Sequence, residues 1–240
     1  MPIDFSLTDE QKQLQALARR FAREQIIPIA SEYDAKEEIP WQIVEKLHQV
    51  GLLNTGIPEE YGGLGLSMLD EVITGEELAF GCMGIYTIAM ASELGITPIL
   101  IAGSDEQKKR FFKKLTEKPA LAAFALSEPG NGSDLAGLTT RAERDGDEWV
   151  VNGQKVWTTG AHHAAYGMLL ARTDWDVPKH QGLTFFALPM HQPGVEVRPL
   201  RQMNGRSSFN EVFLTDARVP ADYVVGDIGA GWAVAQTTLS

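Results

Sequence analysis

A chain of 240 residues, 44% of them hydrophobic, is long enough to bury a substantial core, as one large domain or two smaller ones. Its 32 acidic and 21 basic residues give a net charge of −11, which repels phosphate backbones and sets nucleic acid and anionic membrane surfaces aside as partners. No apolar run reads as a membrane span, and the opening MPIDFSLTDEQ lacks the basic and apolar regions of a signal peptide, so the expected setting is cytoplasmic.

The first half reads as helices. In SLTDEQKQLQALARRFAREQII, Thr8 and Gln11 form a capping-box pattern, and Leu14, Leu17, Ala18 and Phe21 recur at helical spacing, with Gln25 as a polar intrusion. A second helix opens at Pro40, runs through Trp41, Val44 and Leu47, and stops at Gly51. After the loop IPEEYGGLGLS, Ser67 precedes a third helix reaching about Phe80. A fourth, IYTIAMASELGITPILIAG, carries Gly95 and Pro98, which are expected to kink or divide it. Ser104 and Gln107 cap a fifth, which turns Phe111, Phe112 and Leu115 inward and leaves its lysines in water. The one cysteine, Cys82, reads as a small buried apolar residue, since it has no thiol to pair with.

After Pro119 the apolar pattern alternates. Asp145-Gly146 and Asn152-Gly153 each lie between β-type segments, and such pairs favour tight turns, so two consecutive hairpins are predicted. YGMLLART, LTFFALP, VEVRPL and NEVFLTD continue the strands, making residues 119–228 an antiparallel, barrel-like β domain after a helical domain over 1–118. From Gly229 to Ser240 a further helix begins, with little of this chain to pack against. Between the halves lies FALSEPGNGSDLAG, rich in Gly and Ser. It is no P-loop, because no Gly-Lys-Ser/Thr follows, and it is no nucleophile elbow, because Asn131 takes the first glycine position.

Ser127-Glu128-Pro129-Gly130-Asn131-Gly132-Ser133-Asp134 resembles the S/T-E-P-x-x-G-S-D segment that opens the middle domain of the acyl-CoA dehydrogenase family. PEEYGGLG (58–65), NGQKVWTTG (152–160), LLARTD (169–174) and the VP, VVG and GW landmarks between Val219 and Trp232 follow in family order. The stretch WTTGAHHAAYGMLLARTD further resembles the actinobacterial branch that includes sterol side-chain dehydrogenases.

The resemblance implies an α+β multidomain fold whose C-terminal four-helix bundle is absent from this chain. It also implies an FAD enzyme that oxidises an acyl-CoA thioester to the 2,3-enoyl-CoA. A carboxylate takes the α-proton, the β-hydrogen passes as hydride to flavin N5, and the thioester oxygen is polarised by a ribityl hydroxyl and a backbone N–H. Carried over by position, Phe124, Ala125, Leu126 and Ser127 border the isoalloxazine, Gly132 and Ser133 the pyrophosphate side, and Trp157, Thr158 and Thr159 the ring face and N5 region. Ser133, Thr87, Met90 and Leu94 are the expected substrate contacts. The catalytic glutamate is expected from the C-terminal domain, with Glu128 a structural residue. No metal is expected, because His162 and His163 are strand neighbours facing opposite ways. An electron-transfer flavoprotein is the implied acceptor, and a homotetramer or heterotetramer the implied assembly. The alternatives are a non-catalytic flavin- or acyl-CoA-binding subunit of a heteromeric dehydrogenase, and a same-fold acyl-CoA oxidase or flavin monooxygenase.

Overall fold

The computed structural model describes residues 5–36, 38–203, 205 and 207–240; the first four residues of the stretch read for a signal peptide lie outside it. The chain forms two compact units, 1–90 and 91–240, whereas the change in sequence pattern had put the division at 118/119. The difference arises because residues 91–118 are helical in sequence yet pack with the sheet.

In the first unit, α1 (Asp9–Phe21) starts from the expected capping box, the Thr8 side chain accepting from the Gln11 N–H while Gln11 returns the bond. The helical path runs further than its periodicity suggests, through a π turn (Ala22–Ile26) into α2 (Ile27–Lys36). Pro28 sits in the first turn after the π segment, where a missing N–H costs least. α3 (Trp41–Gln49) buries Ile43, Val44 and Leu47. α4 (Met68–Gly81) begins from a Ser67–Asp70 capping box and is held to α1 by Arg19, whose Nε donates to Glu77 Oε2 at 2.8 Å. Cys82, the residue after α4, is half-buried rather than sealed in the core.

The PEEYGGLG loop is fixed by backbone packing. A Cβ on Gly63 would meet the Ile57 carbonyl oxygen at 1.9 Å, while Gly65 N–H donates to that same oxygen. Gly63→Ala therefore requires the loop to move, and chemical denaturation is expected to show a loss of at least about 2 kcal/mol.

α5 (Met83–Ala102) is one undivided α-helix despite Gly95 and Pro98. By length and composition it could cross a membrane, with a mean hydropathy of 1.6, contrary to the sequence expectation. Its apolar character has a local cause, since Ile96 and Ile99 are buried in the second unit and Gly95 faces strand β1 (Leu121–Ala125), where a Cβ would come within 2.8 Å of Ala122. Ser92 Oγ accepts the Ala122 N–H, tying the helix to the start of that strand. α6 (Asp105–Thr116) carries the Ser104–Gln107 capping box and buries Phe111, Phe112 and Leu115.

The other strands are β2 (Arg141–Asp145), β3 (Glu148–Thr159), β4 (Ala164–Arg172), β5 (Leu183–Pro189), β6 (Val195–Leu200), β7 (Phe209–Pro220) and β8 (Val224–Val225). They run in the order β6-β7-β3-β2-β4-β5-β8, with β1 beside β4. Two corrections follow. The sheet is mixed, because β1 pairs with β4 in parallel and Arg141 of β2 bridges Arg172 of β4 in parallel. Only Asp145-Gly146 makes a hairpin turn, while Asn152-Gly153 lies inside the continuous β3 at a bulge opposite β7. Gly153 is there for space, at φ +155°, where a Cβ would strike Thr140 Oγ1 at 2.5 Å and Cα at 2.7 Å. The strands share one core cluster that includes Ala125, Trp149, Val151, Leu169, Phe186 and Val219. α7 (Gly231–Thr238) does find packing in this chain, for Gly231 lies so close to Leu183 and Leu170 that a Cβ would contact both at 2.8 Å.

Candidate flavin and acyl site

A cavity of about 250 Å³ opens in the second unit where the end of β1, the following loop and the end of β3 meet. Phe124, in β1, and Leu126, the residue after its end, both enter it, as a two-residue period carried one step past the strand would place them. Ser127 and Gly132 come from the loop, Trp157 and Thr159 from β3, and Leu94 from α5. The expected convergence of Ser127, Trp157 and Thr159 on one cleft is thus observed.

Backbone distortion in β3 sets which side chains arrive. The register against β7 shifts between Lys155 and Thr158, and Trp157 takes a left-handed backbone at φ +62°, a strained state for a non-glycine residue. Its indole is about half exposed and packs edge-on to Phe209, with ring centroids 5.5 Å apart. The bulge breaks alternation, so Val156, Trp157 and Thr159 all line the cavity.

Several expected residues lie elsewhere. Ala125 is fully buried in the sheet core, on the strand face opposite Phe124 and Leu126. Thr158 takes the face opposite Trp157 and Thr159, as alternation requires, and its hydroxyl is fully buried there without a hydrogen-bond partner among the described residues. Ser133 is exposed on the loop and outside the lining. Thr87, whose hydroxyl donates to the Met83 carbonyl, and Met90 belong to the first unit. Ala91, Leu135, Val156 and Leu239 are lining residues that the sequence reading did not select. Ala91 was findable, being one helical turn before Leu94; Val156 was hidden by the bulge, and Leu239 has no local signal.

Behind this wall lies a buried ion pair. Glu128 is 5% exposed and Lys155 fully buried, with Nζ 2.9 Å from Glu128 Oε1 and 2.8 Å from the Leu126 carbonyl. Glu128 also accepts from the Thr139 N–H at 2.7 Å, the Thr139 hydroxyl at 2.8 Å and the Thr140 N–H at 2.8 Å. Burial alone would raise the Glu128 carboxyl, but the Lys155 charge and the threonine bonds outweigh it and hold the group down at about 2. Burial lowers the Lys155 ammonium from its usual range, opposed by the Glu128 charge and bond. A carboxylate so stabilised is no proton acceptor, which agrees with a structural role.

His162 Nδ1 lies 3.1 Å from Asn210 Oδ1, and Asn210 Nδ2 donates to the Thr158 carbonyl. Burial depresses the basicity of both His162 and His163. Among the described residues no cluster of three metal-ligating side chains occurs.

The family model described as acyl-CoA dehydrogenase, N-terminal domain, matches residues 8–118, and that described as acyl-CoA dehydrogenase, middle domain, matches residues 123–217. The chain belongs to the acyl-CoA dehydrogenase family. It is 36% identical over 239 residues to the probable medium-chain specific acyl-CoA dehydrogenase 2, mitochondrial, of Caenorhabditis briggsae, covering 98% of this chain and 59% of that one. Identity to acyl-CoA dehydrogenase IpdE1 of Mycobacterium tuberculosis is 44% over 211 residues, covering 87% and 54%. A glutaryl-coenzyme A dehydrogenase solved with glutaryl-CoA superposes with a TM-score of 0.92 at 32% identity, covering 99% of this chain and 61% of its own. The chain thus spans somewhat more than half the length of these acyl-CoA dehydrogenases, and its helical and sheet portions have that family's fold.

Proposed function

We propose that this chain supplies the ring-facing wall of an FAD-dependent acyl-CoA dehydrogenase, which oxidises an acyl-CoA to the 2,3-enoyl-CoA. The carrying observation is Gly132. It lines the cavity, yet a Cβ there would meet nothing within 4 Å and its backbone needs no positive φ, so neither packing nor conformation within the chain calls for a glycine. An outside group that approaches the main chain closely does call for one.

The lining suits an aromatic, polar-edged ring. Phe124 and Trp157 offer flat apolar surface, and Ser127 and Thr159 offer hydroxyls at its rim. Bound there, the flavin supplies a hydride acceptor for the acyl β-carbon. Leu94 and Ala91 give an apolar wall suited to hydrocarbon. Among the described residues the lining contains no carboxylate, so on this reading the α-proton is taken by a group outside it, the C-terminal glutamate that the resemblance implies. Transfer onward to an electron-transfer flavoprotein, and assembly as a homo- or heterotetramer, complete the proposal.

The test is titration of the chain with FAD while following tryptophan emission. Saturable quenching at one flavin per chain is expected, with most of the signal lost in Trp157→Phe. Unchanged emission in the parent chain, with no visible flavin band after gel filtration, would sink the reading.

A further inference from the structure

The loop from Ser127 to Leu138 buries Ala136 and Leu138 at its far end, and it is anchored in addition by buried charges. Glu128 sits at its start, and its carboxylate gathers three donors from Thr139 and Thr140 at the loop's far end, so that one side chain closes both ends. Lys155, from β3, binds that carboxylate and the Leu126 carbonyl together. Arg172, 5% exposed, reaches in from β4 and donates to the carbonyls of Ala136 at 2.5 Å, Leu138 at 3.3 Å and Lys179 at 3.2 Å. The backbone exchange between Glu128 and Asn131 and the bond from Val156 N–H to the Ser127 carbonyl complete the frame.

Both residues that Lys155 engages are adjacent to Ser127, and Leu126 and Ser127 both line the cavity. Burying an ion pair costs desolvation that apolar residues of similar volume would avoid, so stability does not account for its presence. Fixed orientation does, because a side chain bonded at several atoms cannot pivot.

We infer that Glu128 and Lys155 are positioning residues for the cofactor. They set the orientation of the Ser127 hydroxyl and of the Gly132 main chain toward the cavity. This rests on the flavin reading above and adds to it a reason for two buried charges that touch no ligand. The wall is preformed, and a hydrogen bond from Ser127 to the polar edge of a bound ring would favour one redox state of the cofactor over the other.

The experiment compares the full chain with Glu128→Gln/Lys155→Met and with Thr139→Val, which removes one hydroxyl donor and leaves the ion pair in place. In the first arm, without cofactor, hydrogen exchange is read at the 130–138 amides. At least tenfold acceleration is expected in the double variant and a smaller one in Thr139→Val, with the β4 amides of Leu169 and Leu170 unchanged. Parent-like exchange at 130–138 in both variants overturns the inference whether or not flavin binds. In the second arm FAD affinity and the midpoint potential of the bound flavin are measured. The double variant is expected to bind at least tenfold more weakly, with a potential shifted by about 30 mV, equivalent to a tenfold change in the affinity ratio of the two redox forms. A merely structural role would weaken both forms equally, so an unmoved potential also overturns the inference. Absence of FAD binding to the parent chain, with loop exchange accelerated as expected in the variants, would remove the flavin reading and leave the anchoring of the loop standing.

Discussion

Lys155→Met is expected to lower the unfolding free energy by roughly 3–5 kcal/mol, among the largest losses any single side-chain change in this chain should give. Methionine fills most of the lysine's volume, so little of the loss is cavity formation. It comes from Glu128, which keeps its burial but loses the cation it is paired with. Glu128→Gln leaves the mirror defect, a fully buried ammonium whose remaining acceptors, the Leu126 carbonyl and the new amide oxygen, are neutral. The double change should cost clearly less than the two single losses added, because each removes the other's stranded charge. It should not be neutral, since an amide can offer only one oxygen to the Thr139 and Thr140 donors that a carboxylate meets with two.

The same pair sets an acid limit. The Glu128 carboxyl is depressed from 4.5 to about 2 in the folded chain, so its contribution is fully present above about pH 4.5 and is lost as the pH falls toward 2. In Lys155→Met the chief cause of the depression is gone while burial remains, so acid unfolding should begin at a higher pH. Denaturation midpoints measured from pH 6 to pH 2 would show it. An acid limb identical in parent and variant would mean that the two charges do not interact as the geometry requires.

Much of this architecture was legible because short-range rules wrote it. Capping boxes at Thr8 and Ser104 need only four residues, and both occur. The turn at Asp145-Gly146 needs two, and it too occurs. The second Asn-Gly pair shows where such rules stop. Asn152-Gly153 carries the same turn signal, but Gly153 is demanded by a neighbour, Thr140, that lies thirteen places away and packs against it. A glycine required for clearance and one required for a turn are the same letter in a sequence. The parallel pairing of β1 with β4 is likewise a long-range outcome, since nothing inside LAAFA states which partner it meets.

The site divides along the same line. Phe124, Leu126, Ser127, Gly132, Trp157, Thr159 and Leu94 were carried over by resemblance, and all seven meet at one cavity. The failures trace to geometry that alternation cannot foresee. A strict two-residue period puts Val156 and Thr158 away from the cavity; Thr158 obeys it and is buried, whereas the register shift before Thr158 brings Val156 in. The role of Lys155 was invisible for another reason. A lysine in a strand reads as a solvated residue, and only the three-dimensional pairing with Glu128 reveals that it is fully buried.

Gly132→Val and Gly153→Ala should separate the two uses of glycine in opposite directions. At Gly132 a new side chain enters open space with no strained backbone, so stability should stay within about 0.5 kcal/mol of the parent. FAD affinity should nonetheless fall at least tenfold, because the isopropyl group occupies the volume through which the main chain would face the ligand. At Gly153 the Cβ meets Thr140 backbone and side chain at 2.5–2.8 Å, at a φ of +155° that L-residues rarely adopt. Gly153→Ala should therefore cost about 2 kcal/mol or more. Below its unfolding transition, it should bind FAD within a few-fold of the parent, since Gly153 lies outside the cavity lining. Paired thermal melts and flavin titrations would read both effects. Equal loss of affinity in the two variants would show that Gly132 acts through the fold, and the case for a ligand approaching that backbone would go with it.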